Sequence, residues 1–405
     1  MQGDLMITGD QLLIKQINKS IVLNTIRKKG IISRADLANI TGLNKSTVSS
    51  LVDELIKDGF VEEEGPGESK GGRKPIMLMI NSLAGCVIGV DLDVNYILVI
   101  LTDILANILW QKRINLKIGE DKEDIIGKII DLIDEAISNS PKTVKGVLGI
   151  GIGVPGITDY KRGIVLKAPN LKWENVELKK IIEEKFHLNV YIDNEANTGA
   201  IGEKWFGAGK NARNFVYISA GIGIGTGIII NNELYRGSGG LAGEMGHMTI
   251  DINDHLCSCG NRGCWENYAS EKSLFNFIKE KLESGEKDEY LNVDDLDKLD
   301  INDIIDIAEK GSSLAKRSIE EISRNLSIGI VNIVNTFNPD LVIIGNTLSG
   351  IGDYLLNTIR EYIDSKCLVS RYNNVAVEIS KLGMLDRAIG AVTLVISELF
   401  SYPGL

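Results

Sequence analysis

The most reactive group of side chains in the sequence is a histidine followed by clustered cysteines. His247 precedes Cys257, Cys259 and Cys264, and these three cysteines fall within one eight-residue window that contains two glycines. Three thiolates and one imidazole complete a tetrahedral zinc site, and glycines allow the tight loop that it needs. His255 is a rival fourth ligand, and free buried cysteines are the alternative to a metal. Because four protein ligands leave no open position, we predict a structural Zn²⁺ ion.

Polar side chains that suit a polyhydroxylated ligand surround this cluster in the sequence. Glu244 and Glu266 flank the predicted zinc ligands, and Asn194 and Glu195 follow a predicted strand. Carboxylates, an amide and an imidazole can donate to or accept from vicinal hydroxyls, so these residues and His247 are candidate ligand contacts. Taken singly, such residues are more often found at a surface or a helix end.

Two glycine-rich segments raise the question of nucleotide binding. Residues 151–156 match the G-x-G-x-x-G pattern. A dinucleotide site requires a helix directly after that pattern, whereas residues 157–167 predict a turn and a hairpin. Residues 221–227 lie between two apolar runs and predict a strand, a tight turn and a strand. This second turn could cradle a phosphate or serve only to reverse the chain.

The N-terminal part predicts a helix-turn-helix. Ser33 and Asp36 resemble a capping box, Gly42 would end the first helix, and Asn44 would cap the second. The second helix carries an apolar stripe at helical spacing and a polar face rich in hydroxyls, which suits contact with phosphates and base edges. A helical hairpin that does not touch DNA is the alternative. The candidate DNA contacts are Arg34, Lys45, Ser46, Thr47, Ser49 and Ser50.

A β-wing is predicted directly after this hairpin. An alternating stretch starts at Phe60, glycines and prolines follow, and an apolar strand covers residues 76–80. Arg73 and Lys74 would lie at the tip, where they could reach the DNA backbone or a minor groove. An ordinary linker with two solvated charges is the alternative.

Composition and charge limit the class of protein. The 405 residues are 44% hydrophobic, which is enough for a small domain and a larger one. Five cysteines, mostly clustered, argue against a disulfide framework. The sequence shows no signal pattern and no apolar run of membrane-spanning length, so we predict a cytoplasmic protein. The net charge is −11, yet residues 15–50 hold seven Lys and Arg and a single acidic residue. Basic charge is therefore local, as a DNA-binding domain requires.

Beyond residue 85 the sequence alternates between strand-like and helix-like segments, which indicates the α/β class. Residues 283–300 are rich in Asp and Glu and predict a surface insertion or a loop. The predicted strands are 86–92, 97–102, 147–154, 189–192, 215–219 and 341–344, and the predicted helices are 124–139, 178–186, 304–309 and 314–337.

The chain resembles the ROK family, which contains repressors, uncharacterised open reading frames and sugar kinases. The resemblance covers essentially residues 85–405, and the repressors of the family also share residues 42–50 and 71–75 of the N-terminal part. The motifs that carry it are Ala168-Pro-Asn-Leu171, Asp193-Asn-Glu-Ala-Asn197, Glu244-Met-Gly-His247 with the cysteine cluster, and Asn338-Pro-Asp340.

The resemblance implies an N-terminal winged helix-turn-helix (α+β) over residues 1–80. A two-lobed α/β domain of the actin/hexokinase (RNase H-like) fold would follow over residues 81–405. Lobe I would cover about 85–193 plus the C-terminal helix, and lobe II about 194–385. A monosaccharide, expected to be xylose, would bind between the lobes and release a homodimer or higher oligomer from a palindromic operator.

The resemblance also assigns roles to particular residues. His247 would contact both sugar and zinc, with one ring nitrogen for each. By motif position, the sugar contacts would be Asn194, Glu195, Glu244, His247 and Glu266, with Asn170 and Gly156 as further candidates.

The sequence departs from the kinases of this family at the positions that handle phosphate. The first phosphate loop of the kinases is Asp-x-Gly-Gly-Thr, whereas Asp91 is followed here by Leu92-Asp93-Val94-Asn95. A phosphate needs bare backbone without a negative charge. The catalytic aspartate of the kinases is Glu195 here. We therefore predict that the protein is not an enzyme, with a sugar kinase that carries a DNA-binding head as the alternative.

Overall fold

The structure, a computed structural model, describes residues 11–67, 74–117, 119–252, 256–368, 372 and 375–401. The N-terminal part, called the head, contains the predicted helix-turn-helix and the two antiparallel strands of the predicted wing. A short third strand at residues 32–33, which was not predicted, pairs antiparallel with the second strand of the wing. A long first helix precedes them, which the sequence analysis missed. The elements of the head are α1 (Gln11–Lys29), β1 (Ile32–Ser33), α2 (Arg34–Thr41), α3 (Lys45–Lys57), β2 (Val61–Pro66) and β3 (Ile76–Ile80).

Capping residues mark the two ends of α2 and the start of α3. The Ser33 hydroxyl accepts a hydrogen bond from the backbone N–H of Asp36 at 3.1 Å and donates to its carboxylate at 2.7 Å. Gly42 ends α2 with a φ of +71°, in the left-handed region that favours glycine. Asn44 occupies the cap position of α3, but within the described residues its side chain makes no capping hydrogen bond. That part of the predicted cap is wrong.

Lobe I is built on a mixed sheet in the order β11-β7-β4-β5-β6. Every residue of β4 and β5 is buried, as continuous apolar runs predict for strands covered on both faces. The predicted strands and helices of this lobe are present within a few residues. The elements are β4 (Cys86–Leu92), β5 (Tyr96–Asp103), β6 (Ile108–Asn115), α4 (Lys122–Ser138), β7 (Val147–Val154), β8 (Ile157–Asp159), β9 (Ile164–Ala168), β10 (Trp173–Val176), α5 (Leu178–Phe186) and β11 (Val190–Asn194).

Lobe II is built on a second mixed sheet in the order β14-β13-β12-β15-β16. Residues 284–300 form turns and a short 3₁₀ helix, in line with the predicted loop. The loop is not wholly on the surface, because Leu291 and Leu296 are part of the core around which the helices of this lobe pack. The elements are α6 (Glu195–Phe206), β12 (Phe215–Ala220), β13 (Ile224–Ile230), β14 (Glu233–Leu234), α7 (Glu266–Ala269), α8 (Glu271–Glu283), α9 (Ile301–Glu309), α10 (Ser313–Phe337), β15 (Leu341–Gly345), α11 (Asp353–Lys366) and β16 (Ala376–Ile379).

The last helix, α12 (Asp386–Ser401), returns to lobe I and packs on β4 and β7. A Cβ at Gly151 would lie 1.8 Å from the carbonyl oxygen of Ala391, so the helix lies directly on the backbone of the sheet. Among the helices of the described residues, none combines the length and the apolar character that a membrane span requires.

Candidate functional site

A cavity of about 140 Å³ opens between the sheets of the two lobes, where the carboxyl ends of their parallel strands meet. Ligands of α/β proteins commonly bind at such strand ends. The structure brings the predicted ligand contacts, which are far apart in sequence, into the lining of this cavity. They are Gly156, Asn170, Asn194, Glu195, Glu244, His247 and Glu266.

Asn194 and Gly156 shape the wall that lobe I contributes. The Asn194 side-chain oxygen caps α6 by accepting from the backbone N–H groups of Ala196 at 2.8 Å and Asn197 at 3.3 Å. Its amide donates to the carbonyl oxygen of Gly156 at 2.8 Å. Gly156 has a φ of +87°, and a Cβ there would lie 2.3 Å from the carbonyl oxygen of Lys167. The turn therefore requires glycine, and Asn194 holds it against α6.

Glu195 faces an arginine that the sequence analysis did not single out. Nη1 of Arg387 lies 2.8 Å from Asp93 Oδ2 and 3.8 Å from Glu195 Oε2, and Nη2 lies 3.3 Å from Asp91 Oδ2. Arg387 also donates to the hydroxyl of Tyr96, which donates to Asp91 at 2.9 Å. Only 1% of Arg387 is exposed, so its charge depends on these carboxylates for compensation.

The same burial changes the acidity of the carboxyl groups. Burial raises the pKa of Glu195 to about 8, with Asp93, Asp91 and Glu244 adding to the effect and Arg387 opposing it. Burial likewise raises the pKa of Asp91 to about 6, again against the influence of Arg387. Glu195 therefore changes its charge near neutral pH while it lines the cavity.

Lobe II contributes the opposite wall, which carries Glu244, His247 and Glu266. His247 ends a short 3₁₀ turn, and its Nδ1 lies 3.4 Å from Glu266 Oε1. Glu266 begins α7 and accepts a hydrogen bond from the Cys257 thiol at 3.2 Å. Burial raises the pKa of Glu244. This wall therefore offers both acceptors and donors at the same place as the cysteine cluster.

The predicted metal ligands converge beside this wall. The ligand atoms of His247, Cys257, Cys259 and Cys264 lie within 4.8 Å of one another. The Cys259 and Cys264 sulfurs are 3.7 Å apart, and the Cys257 sulfur lies 3.7 Å from His247 Nδ1. A tetrahedron with metal–sulfur bonds of about 2.3 Å has sulfur–sulfur edges of about 3.7 Å, so the cluster could hold a metal ion. His255, the rival ligand, lies outside the described residues.

Two glycines turn the loop that carries the cysteines. Gly260 and Gly263 have φ values of +93° and +67°. A Cβ at Gly263 would lie 1.6 Å from the carbonyl oxygen of Asp251, and β-bridge pairing of Thr249 with Cys264 holds the loop closed. The sequence spacing indicated such turns, and the structure places both in the left-handed region.

The residues of α3 that were predicted to contact DNA lie on its first turns. They make up the polar part of the helix start, called the polar surface, outside the buried stripe of Val48, Leu51, Val52 and Leu55. Lys45, Ser46 and Ser50 are exposed, whereas Thr47 and Ser49 are half-buried.

Three of the candidate DNA contacts, Arg34, Arg73 and Lys74, are not on α3. The Arg34 guanidinium bridges three elements, because Nη2 lies 2.9 Å from Asp53 on α3 and Nη1 lies 2.9 Å from Glu63 on β2. Both terminal nitrogens of Arg34, which was predicted to contact DNA, therefore form ion pairs within the head. Lys74 is exposed, and Arg73 lies outside the described residues.

Both parts of the chain match known protein families. Residues 87–398 match the ROK family, and residues 18–62 match winged helix-turn-helix DNA-binding domains. The chain belongs to the ROK family. The ROK match spans both lobes and α12. The predicted fold class, a winged helix-turn-helix followed by a two-lobed actin/hexokinase-like domain, is therefore confirmed.

Two ROK relatives share almost the full length of the chain. A putative xylose repressor of Caldicellulosiruptor sp. (strain Rt8B.4) is 50% identical over 395 residues, which cover 98% of this chain and 99% of that protein. The xylose repressor of Bacillus subtilis (strain 168) is 43% identical over 392 residues, which cover 96% of this chain and 97% of that protein.

Solved structures of ROK proteins include both regulators and kinases. A ROK family transcriptional regulator, a homologue of the Escherichia coli MLC protein, superimposes with a TM-score of 0.82 at 27% identity, covering 96% of this chain and 97% of that one. A ROK family glucokinase from Streptomyces griseus, solved with glucose and AMPPNP, has a TM-score of 0.69 at 30% identity and covers 76% of this chain and 99% of its own. The regulator thus matches a larger share of the chain.

Proposed function

We propose that this ROK protein is a cytoplasmic, sugar-responsive repressor that binds operator DNA and is released by a monosaccharide, xylose. The observation that carries the proposal is the presence in one chain of a winged helix-turn-helix and an interlobe cavity with a polar, hydroxyl-matching lining. Full-length relatives named xylose repressors support both the sugar and the sign of regulation. Two heads in a homodimer or higher oligomer would match a palindromic operator.

In this proposal the sugar lies between the two carboxylate walls of the cavity. Glu195, Glu244 and Glu266 bond its hydroxyls, with Asn170 and the Gly156–Asn194 turn closing the lobe I side. His247 gives Nδ1, the nitrogen near Cys257, to a zinc ion and leaves Nε2 for a hydroxyl. His247, Cys257, Cys259 and Cys264 would hold a zinc ion with four protein atoms, so the ion would be structural and would fix the loop from His247 to Glu266.

The head would contact DNA through the first turns of α3 and through the wing. Lys45 and the four hydroxyl residues of the polar surface would lie in the major groove, and Lys74 with Arg73 would reach the backbone beside it. Arg34 would add a phosphate contact if it exchanged Asp53 or Glu63 for the DNA, since both of its ion pairs are partly exposed and cost little to break.

The charges around the cavity do not favour the alternative, a sugar kinase. Arg387 already fills the space among Asp91, Asp93 and Glu195, where the family's kinases handle phosphate. A second cavity of about 410 Å³ beyond Asp93 is lined by the carboxylates of Asp93, Glu271 and Asp300 and by the single cation of Arg113 among its described lining residues. A triphosphate would therefore meet mainly negative charge there.

The direct test measures operator binding with and without sugar. A DNA fragment selected by the purified protein from a random pool serves as operator, and its Kd is measured in a gel shift with xylose, glucose or no sugar. We expect xylose to raise the operator Kd at least about tenfold, because an inducer must bind the DNA-free state more tightly. A fragment that binds equally well with every pentose and hexose tested would refute the sugar-responsive repressor.

The pKa of Glu195 gives a second expected result. A carboxylate accepts sugar hydroxyls more strongly than a carboxylic acid does, so binding favours the ionised form. Since Glu195 is mostly protonated below pH 8, the xylose affinity should rise by up to about 25-fold from pH 6.5 to 8.5 and then level off. Calorimetry across this range checks the profile. In Glu195→Gln the profile should be flat, and a retained slope would assign the titration to another group.

A further inference from the structure

Two helices connect the interlobe cavity with the head. α6 begins at Glu195 and α12 carries Arg387 in its first turn, and these two side chains lie 3.8 Å apart at the cavity. At the other ends, Trp205 of α6 and Phe400 of α12 pack edge to face with ring centroids 6.2 Å apart. Each helix therefore has its N-terminal end at the cavity and its C-terminal end near the head.

The contact between α6 and α12 is made by backbone. A Cβ at Gly390 would lie 1.8 Å from the carbonyl oxygen of Thr198, and a Cβ at Gly202 would lie 2.7 Å from the carbonyl oxygen of Asp386. Neither glycine has a side chain that could change its rotamer, so a displacement of one helix acts directly on the backbone of the other. Close-packed interiors transmit such a displacement rather than absorb it. The α6–α12 pair should therefore move as one body.

The C-terminal ends of α6 and α12 contact α1 of the head. The Arg27 guanidinium lies 4.0 Å from the centroid of the Trp205 ring and 5.4 Å from that of Phe400, within cation–π range. Ser20 and Asn24 donate to the carbonyl oxygen of Phe400 at 2.6 and 2.9 Å. The last carbonyls of a helix lack partners within it, so α1 supplies the C-terminal cap of α12.

Inside the head, α1 is tied to the helix that would contact DNA. Lys15 lies 2.7 Å from Glu54 on α3, and Lys19 lies 2.6 Å from Asp58 at the end of α3. Val22, Leu23 and Ile26 of α1 are fully buried in the core that the head shares with α12. A change in the orientation of α1 would therefore carry α3 with it.

We propose that the α6–α12 pair transmits sugar binding to the head and that Arg27, seated on Trp205 and Phe400, is the positioning residue at the joint. The inference rests on the proposed function. A sugar that bonds Glu195 competes with the contact between Glu195 and Arg387, which lies at the N-terminal ends of both helices. The rigid pair converts that local change into a shift at the seat of Arg27, and the head is reoriented on its operator.

The experiment measures coupling, defined as the operator Kd in saturating xylose divided by the operator Kd without sugar. Arg27→Met keeps an apolar stem but removes the charge and the cation–π contact. Lys29→Met is the matched control, because it removes the same charge from an exposed position of the same helix. We expect at least a fivefold loss of coupling in Arg27→Met and wild-type coupling in Lys29→Met, while the xylose Kd in the absence of DNA stays within threefold of wild type in both.

Trp205→Leu removes the ring on α6 that Arg27 contacts and should lose coupling in the same way. A loss of coupling in both variants cannot be explained by a folding defect in only one of them. Linkage adds a second readout: operator DNA should weaken xylose binding in the wild type by the same factor, and less so in both variants. Full coupling in Arg27→Met and Trp205→Leu would overturn the joint and leave the proposed function standing. A wild type without coupling would overturn the proposed function and this inference together.

Discussion

Replacing Cys264 by serine is expected to abolish metal binding and most of the sugar affinity. Cys264 is fully buried beside Cys259, and a serine hydroxyl is a poor ligand for Zn²⁺. Without the ion, the loop from His247 to Glu266 loses the bonds that place two cavity side chains. We expect the metal-to-protein ratio to fall from about one to near zero and the xylose Kd to rise about 30-fold, which corresponds to about 2 kcal/mol.

Elemental analysis of the purified protein gives the metal content, and calorimetry gives the xylose Kd. Cys367→Ser is the matched control, since Cys367 is equally buried but donates to Asn335 Oδ1 at 3.2 Å, a bond that serine can keep. Its metal content and sugar affinity should match those of the wild type. Metal retained in Cys264→Ser would exclude this cysteine as a ligand, and normal xylose affinity without metal would separate the two sites.

The sequence predicted best what depends on near neighbours along the chain. The predicted metal ligands, apart from His247, lie in one short loop, and the turns of that loop depend on two glycines within it. The helix-turn-helix rests on a capping residue three positions from its partner and on a glycine with positive φ. Strands β4 and β5 read as apolar runs because both faces of their sheet are covered. Spacing alone therefore suffices for these features.

Two important features had no local signal. Arg387 is one arginine in an apolar helix, and its partners Asp91 and Asp93 lie nearly 300 residues earlier, so pattern and spacing could not connect them. Helix α1 was missed because its apolar residues are not confined to one side. Ile17 and Ile21 are exposed, while other apolar residues are buried against the rest of the head and α12. Without a single stripe, helical periodicity is weak.

For the interlobe cavity, the sequence indicated which residues line it but not their charge states. Its lining residues could be named from motifs that the ROK family shares, but spacing gave no reason for Glu195 to titrate near neutral pH. That property comes from burial and from three other carboxylates on separate elements, and Arg387 limits it. Residues can thus be assigned to a site from sequence, whereas their charge states depend on which distant groups the fold places beside them.

The head offers the second large effect, which separates DNA binding from folding. Ser46 is exposed in the first turn of α3, where an aspartate favours the helix by interacting with the positive end of its dipole. The same carboxylate would face DNA phosphates in the proposed complex. Ser46→Asp is therefore expected to leave the thermal midpoint and the xylose Kd unchanged and to raise the operator Kd about 100-fold, which corresponds to about 3 kcal/mol.

The control places the same substitution at another helix start. Ser313 is exposed in the first turn of α10, on lobe II and outside the head, so Ser313→Asp adds an equal charge without entering the proposed interface. Its operator Kd should stay within twofold of wild type, because a single charge farther than a Debye length of about 8 Å from the DNA is screened. Equal losses in both variants would indicate a general effect of net charge. Wild-type operator binding by Ser46→Asp would remove the N-terminus of α3 from the DNA interface, and the wing would then have to supply the contacts.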